Sequence, residues 1–195
     1  MQLLLATTNK GKIIEIGEVL SDLSIKIQTP ENFGLTAGPQ EHGNTYRENA
    51  LEKARYYREL TKVPVLADDS GIVVEALQDE LGVHTRRWGA GPQASDDAWI
   101  RHFLNRMKKE KNKRARFVCC LALIDESGAE HLFEGACDGV ITETLEASYL
   151  PGLPISACFK PDGFEKVYSA MTIEEKNKVS HRGKALQKLQ KHLSA

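Results

Sequence analysis

Two kinds of apolar spacing alternate along this chain, and the alternation restricts the fold more than any other feature. Leu3-Leu4-Leu5-Ala6 is a short continuous apolar run of the kind a buried strand presents. Directly after it, Ile13, Ile16, Val19 and Leu20 recur at helical spacing, so Thr7 to Lys12 lies between the carboxyl end of a strand and the amino end of a helix. A second helix begins near Thr45 and carries Leu51, Ala54 and Tyr57 on one side. Val63 to Ala67 and Ile72 to Ala76 read as two strands around Asp68-Asp69-Ser70-Gly71, a stretch of turn-forming residues. Ser95 caps a helix bearing Trp99, Phe103 and Met107. Phe117 to Ile124 and His131 to Ile141 are rich in β-formers and flank Asp125-Glu126-Ser127-Gly128 as a hairpin. Helices close the chain, with Thr172 and Glu175 as a capping box and Ala185, Leu186, Leu189 and Leu193 as an apolar face. This order predicts an α/β fold with a mixed β-sheet and flanking helices.

The 195 residues allow one domain or two closely packed lobes. A formal net charge of -1 gives no reason to expect a nucleic acid or a membrane as partner. Lys108 to Arg116 holds six basic residues in nine, yet it lacks interleaved aromatics to stack on bases and reads as a solvated loop. No apolar run approaches the roughly 20 residues that span a bilayer, and Met1 leads into the first strand without a basic region or cleavage site, which predicts a cytoplasmic protein. Cys119, Cys120, Cys137 and Cys158 lack metal-ligand spacing and read as reduced core thiols.

Four stretches carry candidate chemistry. The adjacent carboxylates Asp68 and Asp69 suit a hard cation such as Mg²⁺, which prefers one or two carboxylates and fills its other positions with water and phosphate; a turn is the plainer reading of the same residues. Thr7-Thr8-Asn9-Lys10-Gly11-Lys12 puts hydroxyls, an amide and two ammonium groups at a helix amino terminus, where phosphate is favoured, although the spacing is not that of a Walker loop. Glu48 either completes the capping box that Thr45 begins or joins the two aspartates at a metal. In Ser180-His181-Arg182-Gly183-Lys184, preceded by Lys176, a planar guanidinium and an imidazole are able to read a heterocycle carbonyl or hold a phosphate; a Ser180-capped helix start is the alternative.

These motifs, in this order and over nearly the whole chain, resemble the inosine triphosphate pyrophosphatase family. Phe159-Lys160-Pro161-Asp162-Gly163-Phe164-Glu165 and Glu174-Glu175-Lys176-Asn177 add to the likeness. The resemblance implies a single domain over residues 1–195, an elongated mixed β-sheet with flanking helices forming two lobes around a central nucleotide cleft, and a homodimer. It implies Mg²⁺-dependent hydrolysis of ITP, dITP and XTP to the monophosphate and pyrophosphate. Asp69 would be general base and Mg²⁺ ligand, with Glu48 and Asp68 supporting the metal site. Thr7, Thr8, Asn9, Lys10, Gly11, Lys12, Ser70 and Lys176 would hold phosphates or sugar, and His181 and Arg182 would read the purine six-position.

The chain departs from the family in two places. Where relatives carry Phe-Gly-(Tyr/Trp)-Asp-Pro, this chain has Leu153-Pro154-Ile155-Ser156-Ala157, losing two rings whose stacking is worth on the order of 1 to 3 kcal/mol per base. Leu153 and Ile155 offer apolar faces there, and Trp88 and Tyr149 are candidates to replace the rings. Thr85-Arg86-Arg87-Trp88 stands where Ser-Ala-Arg and an aromatic are usual. The altered base segment keeps two alternatives open: a nucleotide-binding protein with little turnover, and a pyrophosphatase with a shifted nucleotide substrate.

Overall fold

The computed structural model describes residues 2–77, 80–91 and 93–194, without the side chains of His84, Arg86 and Arg87, so the expectation placed on Arg86 and Arg87 lies outside the described residues. One mixed sheet of six strands runs in the order β2-β1-β3-β4-β5-β6. Its strands are β1 (Gln2–Leu5), β2 (Lys26–Gln28), β3 (Val65–Val74), β4 (Arg114–Ile124), β5 (Glu130–Ile141) and β6 (Phe159–Pro161). β1 is parallel to β2 and β3, and the pairs from β3 to β6 are antiparallel. The helices are α1 (Lys10–Leu20), α2 (Tyr46–Thr61), α3 (Asp96–Met107), α4 (Ile173–Val179) and α5 (His181–Leu193).

Strand alternation sends successive side chains to opposite faces, and each face has its own cover. Leu3, Leu5, Leu66, Cys119, Leu121 and Leu123 pack under α1 and α5. Leu4, Ala6, Val65, Ala67, Cys120 and Ala122 pack under α2, through Ala50, Ala54 and Tyr57. The far halves of the long strands carry a further core, in which Ile72, Val74 and Ala115 meet Trp99, Ile100, Phe103 and Met107 of α3, together with Phe159 and Tyr168. The four cysteines are buried free thiols.

Two expectations change. Asp68-Asp69-Ser70-Gly71 is not a turn between strands: it is the middle of β3, in register with Leu121, Cys120, Cys119 and Val118 of β4. Carboxylates inside a strand are tolerated here because cations from three helices reach them, as described below. The basic run 108–116 is not a free loop throughout, since its end begins β4, where Arg114 and Arg116 form two-point ion pairs with Asp162 and Asp138.

Candidate active site

The site exists because β1 is short. β1 pairs with β3 only at Leu4↔Val65 and Leu5↔Leu66, so β3 loses that neighbour just before its acidic residues. A cavity of about 930 Å³ opens there, beside the loop leaving the carboxyl end of a parallel strand, where open α/β sheets commonly bind ligands. Thr7, Thr8, Asn9, Lys10, Lys12, Asp69, Ser70, Leu153, Pro154, Ile155, Ser156, Lys176, His181 and Arg182 all line it. Gly11, Asp68 and Glu48 do not.

Asp68 faces α1 and α5 and is wholly buried. Arg182 Nε donates to its Oδ2 at 2.8 Å, Cys119 Sγ to the same oxygen at 3.4 Å, Ser70 Oγ to Oδ1 at 2.9 Å, and the Lys12 ammonium also pairs with Oδ1. Burial alone would push its pKa up, but Arg182 and Lys12 outweigh that and hold it well below the ordinary aspartate range. Arg182 spends its other nitrogens on Glu15 and on Ser70 Oγ, at 3.0 Å for the latter, while Lys176 pairs with Glu15. Every oxygen of Asp68 is thus occupied, and the guanidinium expected to read a base is engaged within the protein.

Asp69 faces α2. Asn49 Nδ2 donates to its Oδ2 at 3.2 Å, and Lys53 Nζ stands 3.9 Å from Oδ1. Lys53 also pairs with Glu41 at 2.7 Å and donates to the Asp68 carbonyl at 3.1 Å. Burial raises the Asp69 pKa, Lys53 and Lys12 offset this only in part, and Glu41 adds to the rise. Lys53 and Glu41 both line the cavity and were not among the residues picked out from the sequence. A signal for Lys53 existed: with Asn49 it forms an i, i+4 polar pair beside the apolar stripe Ala50, Ala54 and Tyr57.

Glu48 takes the capping role. Its carboxylate accepts from the amides of Asn44 at 2.8 Å and Thr45 at 3.1 Å, while Thr45 Oγ1 accepts from the Glu48 amide. Glu48, Asp68 and Asp69 therefore do not meet around one point, and among the described residues no three or more His, Cys, Asp or Glu side chains gather as a metal-binding group. The donor set that does fit a hard cation is Asp69 with Glu41, two carboxylates on the cavity wall sharing one ammonium.

At the amino end of α1, Asn9 caps the helix by accepting from the Lys12 amide at 3.0 Å and holds the facing loop by donating to the Gly152 carbonyl at 3.0 Å. The Gly11 amide donates to the Pro151 carbonyl at 3.1 Å, and a Cβ at Gly11 would meet Leu153 at 2.7 Å, so only glycine allows this close approach. Because these two amides are occupied, the cations available to the cavity are the side chains of Lys10, Lys12, Lys53 and Lys176, which all line it.

Rings line the cavity as well, and the Lys176 ammonium stands 5.9 Å from the centroid of the Tyr168 ring. Trp99, Phe117 and Tyr168 border the cavity with Ile155 and Leu153. The His181 ring lies flat on Phe117, with centroids 4.6 Å apart and planes at 14°. Burial, reinforced by Arg182, drives the His181 pKa well below its ordinary value, so its imidazole is neutral. Trp88 and Tyr149 do not replace the missing rings: Trp88 packs on Trp99, His102 and Phe103, Tyr149 donates to Asp97, and neither lines the cavity.

The fold and the cavity define an α/β protein with a cleft lined by both lysine ammonium groups and aromatic rings. The chain belongs to the Ham1 family, whose profile matches residues 3–192. It is similar to the dITP/XTP pyrophosphatase of Leptospira interrogans, at 41% identity over 192 residues that cover 98% of this chain and 96% of that protein. The dITP/XTP pyrophosphatase of Aquifex aeolicus is 39% identical over 198 residues, covering 97% of this chain and 95% of its own. Among solved structures, a HAM1 protein from Coxiella burnetii superimposes with a TM-score of 0.84 at 32% identity, covering 100% of this chain and 98% of that one.

Proposed function

We propose that this protein hydrolyses deaminated purine nucleoside triphosphates, ITP, dITP and XTP, to the monophosphate and pyrophosphate. The observation that carries this reading is the position of Asp69, a carboxylate of raised pKa at an open strand edge, in a cavity that lysines and aromatic rings also line. The dITP/XTP pyrophosphatase activity for which the relatives are named agrees with it.

Asp69 takes the proton from a water attacking the α-phosphorus, a role its raised pKa favours over that of the clamped Asp68. Lys12 and Lys53 stand on either side to offset charge that develops on the phosphates. No covalent intermediate is needed. Mg²⁺, when bound, would neutralise phosphate charge and ease departure of pyrophosphate, and Asp69 with Glu41 would hold it. The neutral His181, stacked on Phe117 and lining the cavity, carries an N–H and a lone pair with which it would read the base. Arg182 acts through Asp68, Glu15 and Ser70 as a positioning residue.

A cytoplasmic location and a homodimer belong to the same proposal. Buried free thiols suit a reducing compartment, and among the described residues no helix is long and apolar enough to cross a membrane. Light scattering on the purified chain tests the dimer.

The activity is tested by pyrophosphate release from ITP, dITP, XTP, GTP, dGTP and ATP with Mg²⁺, with Asp69→Asn in parallel. Release from the three deaminated substrates that the variant abolishes is the expected result. Binding of ITP without release would favour a nucleotide-binding protein, and release from a different nucleotide a shifted substrate.

A further inference from the structure

The helix that follows the phosphate loop and the helix that carries most of the aromatic core pack in different places. α1 enters one core through Ile16 and Leu20, and α3 enters another through Trp99, Ile100, Phe103 and Met107. A short segment, residues 149–153, ties the two together by hydrogen bonds. On the α3 side, Asp96 accepts from the Gly152 amide at 2.6 Å, and Asp97 accepts from the Tyr149 hydroxyl. On the α1 side, the Gly152 carbonyl accepts from Asn9 Nδ2 at 3.0 Å, and the Pro151 carbonyl from the Gly11 amide at 3.1 Å. Asn9 in turn accepts from the Lys12 amide at 3.0 Å. Gly152 is therefore gripped from both sides, in a conformation that calls for glycine: its φ is 82°, and a Cβ there would meet Asn9 Nδ2 at 2.5 Å.

Asp96 does not line the cavity and has no role in the chemistry above. It stands in the first turn of α3, where the positive end of the helix favours a carboxylate. A hydrogen bond to a charged acceptor is about twice as strong as one between neutral groups, and this one is made to the residue that Asn9 holds. We propose that Asp96 is a positioning residue: through Gly152 and Asn9 it fixes the loop from Thr7 to Lys12, so that the hydroxyls and ammonium groups of that loop are in place before the triphosphate arrives. This rests on the proposed reaction, whose substrates carry that triphosphate. A loop ordered in advance need not be ordered by the substrate, which favours binding. Once the complex has formed, the loop is in the same place whether or not the latch exists. Loss of the latch therefore raises KM and leaves kcat alone. Because the latch acts on the phosphate loop and not on the base, every nucleotide is affected alike.

The test compares the wild type with Asp96→Ala, Asp96→Asn and Ser95→Ala. Asp96→Ala removes the acceptor, and Asp96→Asn keeps an oxygen without its charge. Ser95→Ala weakens α3 at its cap, where Ser95 Oγ accepts from the Ala98 amide at 3.1 Å, and leaves the carboxylate that Gly152 meets. KM is expected to rise roughly tenfold in Asp96→Ala and about threefold in Asp96→Asn, by the same factor for ITP, dITP and XTP. It should not change in Ser95→Ala, and kcat should stay within about twofold throughout. Hydrogen exchange over residues 7–12, read by mass spectrometry without nucleotide, should quicken in the same order, because the Gly11 and Lys12 amides are held through this chain. An equal KM rise in Ser95→Ala, a fall in kcat at constant KM, or unchanged exchange over residues 7–12 in Asp96→Ala overturns the proposal. Should Asp96→Ala fail to fold, Asp96→Asn decides: a higher KM with faster exchange supports the latch, and wild-type behaviour overturns it. Failure of the activity itself is distinguishable, because it removes pyrophosphate release from the wild type while the exchange comparison still reads the latch.

Discussion

The two faces of β3 at its acidic centre are built for opposite purposes, although their carboxylates are adjacent in sequence. On the α1 and α5 face, Asp68 sits in a closed set of partners, Lys12, Ser70, Cys119 and Arg182, with Glu15 and Lys176 extending the network. On the α2 face, Asp69 has an amide, one ammonium at 3.9 Å and a cavity in front of it. Saturation fixes a charge; partial satisfaction in a desolvated place leaves one that exchanges protons readily. The closed face is the frame that holds the reactive edge in position, and the open face is where chemistry is done.

The largest effects should divide along this line. Asp69→Asn is expected to lower kcat by roughly a thousandfold, the middle of the range for a lost general base, with the unfolding midpoint in urea preserved. Asp68→Asn leaves Arg182 and Lys12 without their buried counter-charge, and breaking such a pair typically costs about 3–5 kcal/mol. Urea denaturation of both variants, beside their turnover, checks the division. If Asp69→Asn unfolds the protein and Asp68→Asn leaves stability intact, the assignment of frame and reactive edge is reversed.

The pH dependence sharpens the same contrast, because the two shifts have opposite signs. Asp68 in the fold titrates below its ordinary value of 3.8. Its contribution to stability is complete above 3.8 and is lost as pH falls through the window beneath. Asp69 titrates above 3.8, so the native state binds its proton more tightly than the unfolded chain, and stability declines as pH rises through that window. Subtracting the stability profile of Asp69→Asn from that of the wild type should isolate a decline with rising pH that begins near 3.8. The acid limb of kcat/KM should also lie higher than an ordinary aspartate would place it.

How much of this was legible in the sequence depended on whether a feature is local. The β1 to α1 junction, the Thr45, Ser95, Thr172 and Ser180 caps and the β4–β5 hairpin follow from spacing and turn chemistry, and the structure has them. Asp68 and Asp69 resemble a turn in the sequence because two carboxylates inside a strand are unfavourable until a cation arrives, and Arg182 reaches Asp68 from 114 residues away. The ring lining is illegible for the same reason: Trp99, Phe117 and Tyr168 come from α3, β4 and a short turn before α4, and no spacing in one chain announces their meeting. Half of the cavity-lining residues are legible from the sequence because they cluster in short motifs. Glu41 belongs to no short motif, and Lys53 is signalled only by its i, i+4 spacing from Asn49.

The smallest effect concerns Glu48, which lies next in sequence to Asn49, a partner of Asp69, yet turns its carboxylate back onto its own helix start. If its role is the cap, Glu48→Ala should cost about 1 kcal/mol of stability, in the usual range for a lost capping interaction. Turnover and its dependence on Mg²⁺ concentration should then be unchanged. A carboxylate that also held the cation would behave differently: Glu48→Gln, which keeps an oxygen for the Asn44 and Thr45 amides, would raise the Mg²⁺ concentration needed for half-maximal rate without destabilising the fold. Titrating Mg²⁺ against both variants separates the two roles, because the alanine form reports the cap and the glutamine form the charge. By the geometry the glutamine form should titrate like the wild type, which would confine the cation site to the open face that Asp69 and Glu41 share.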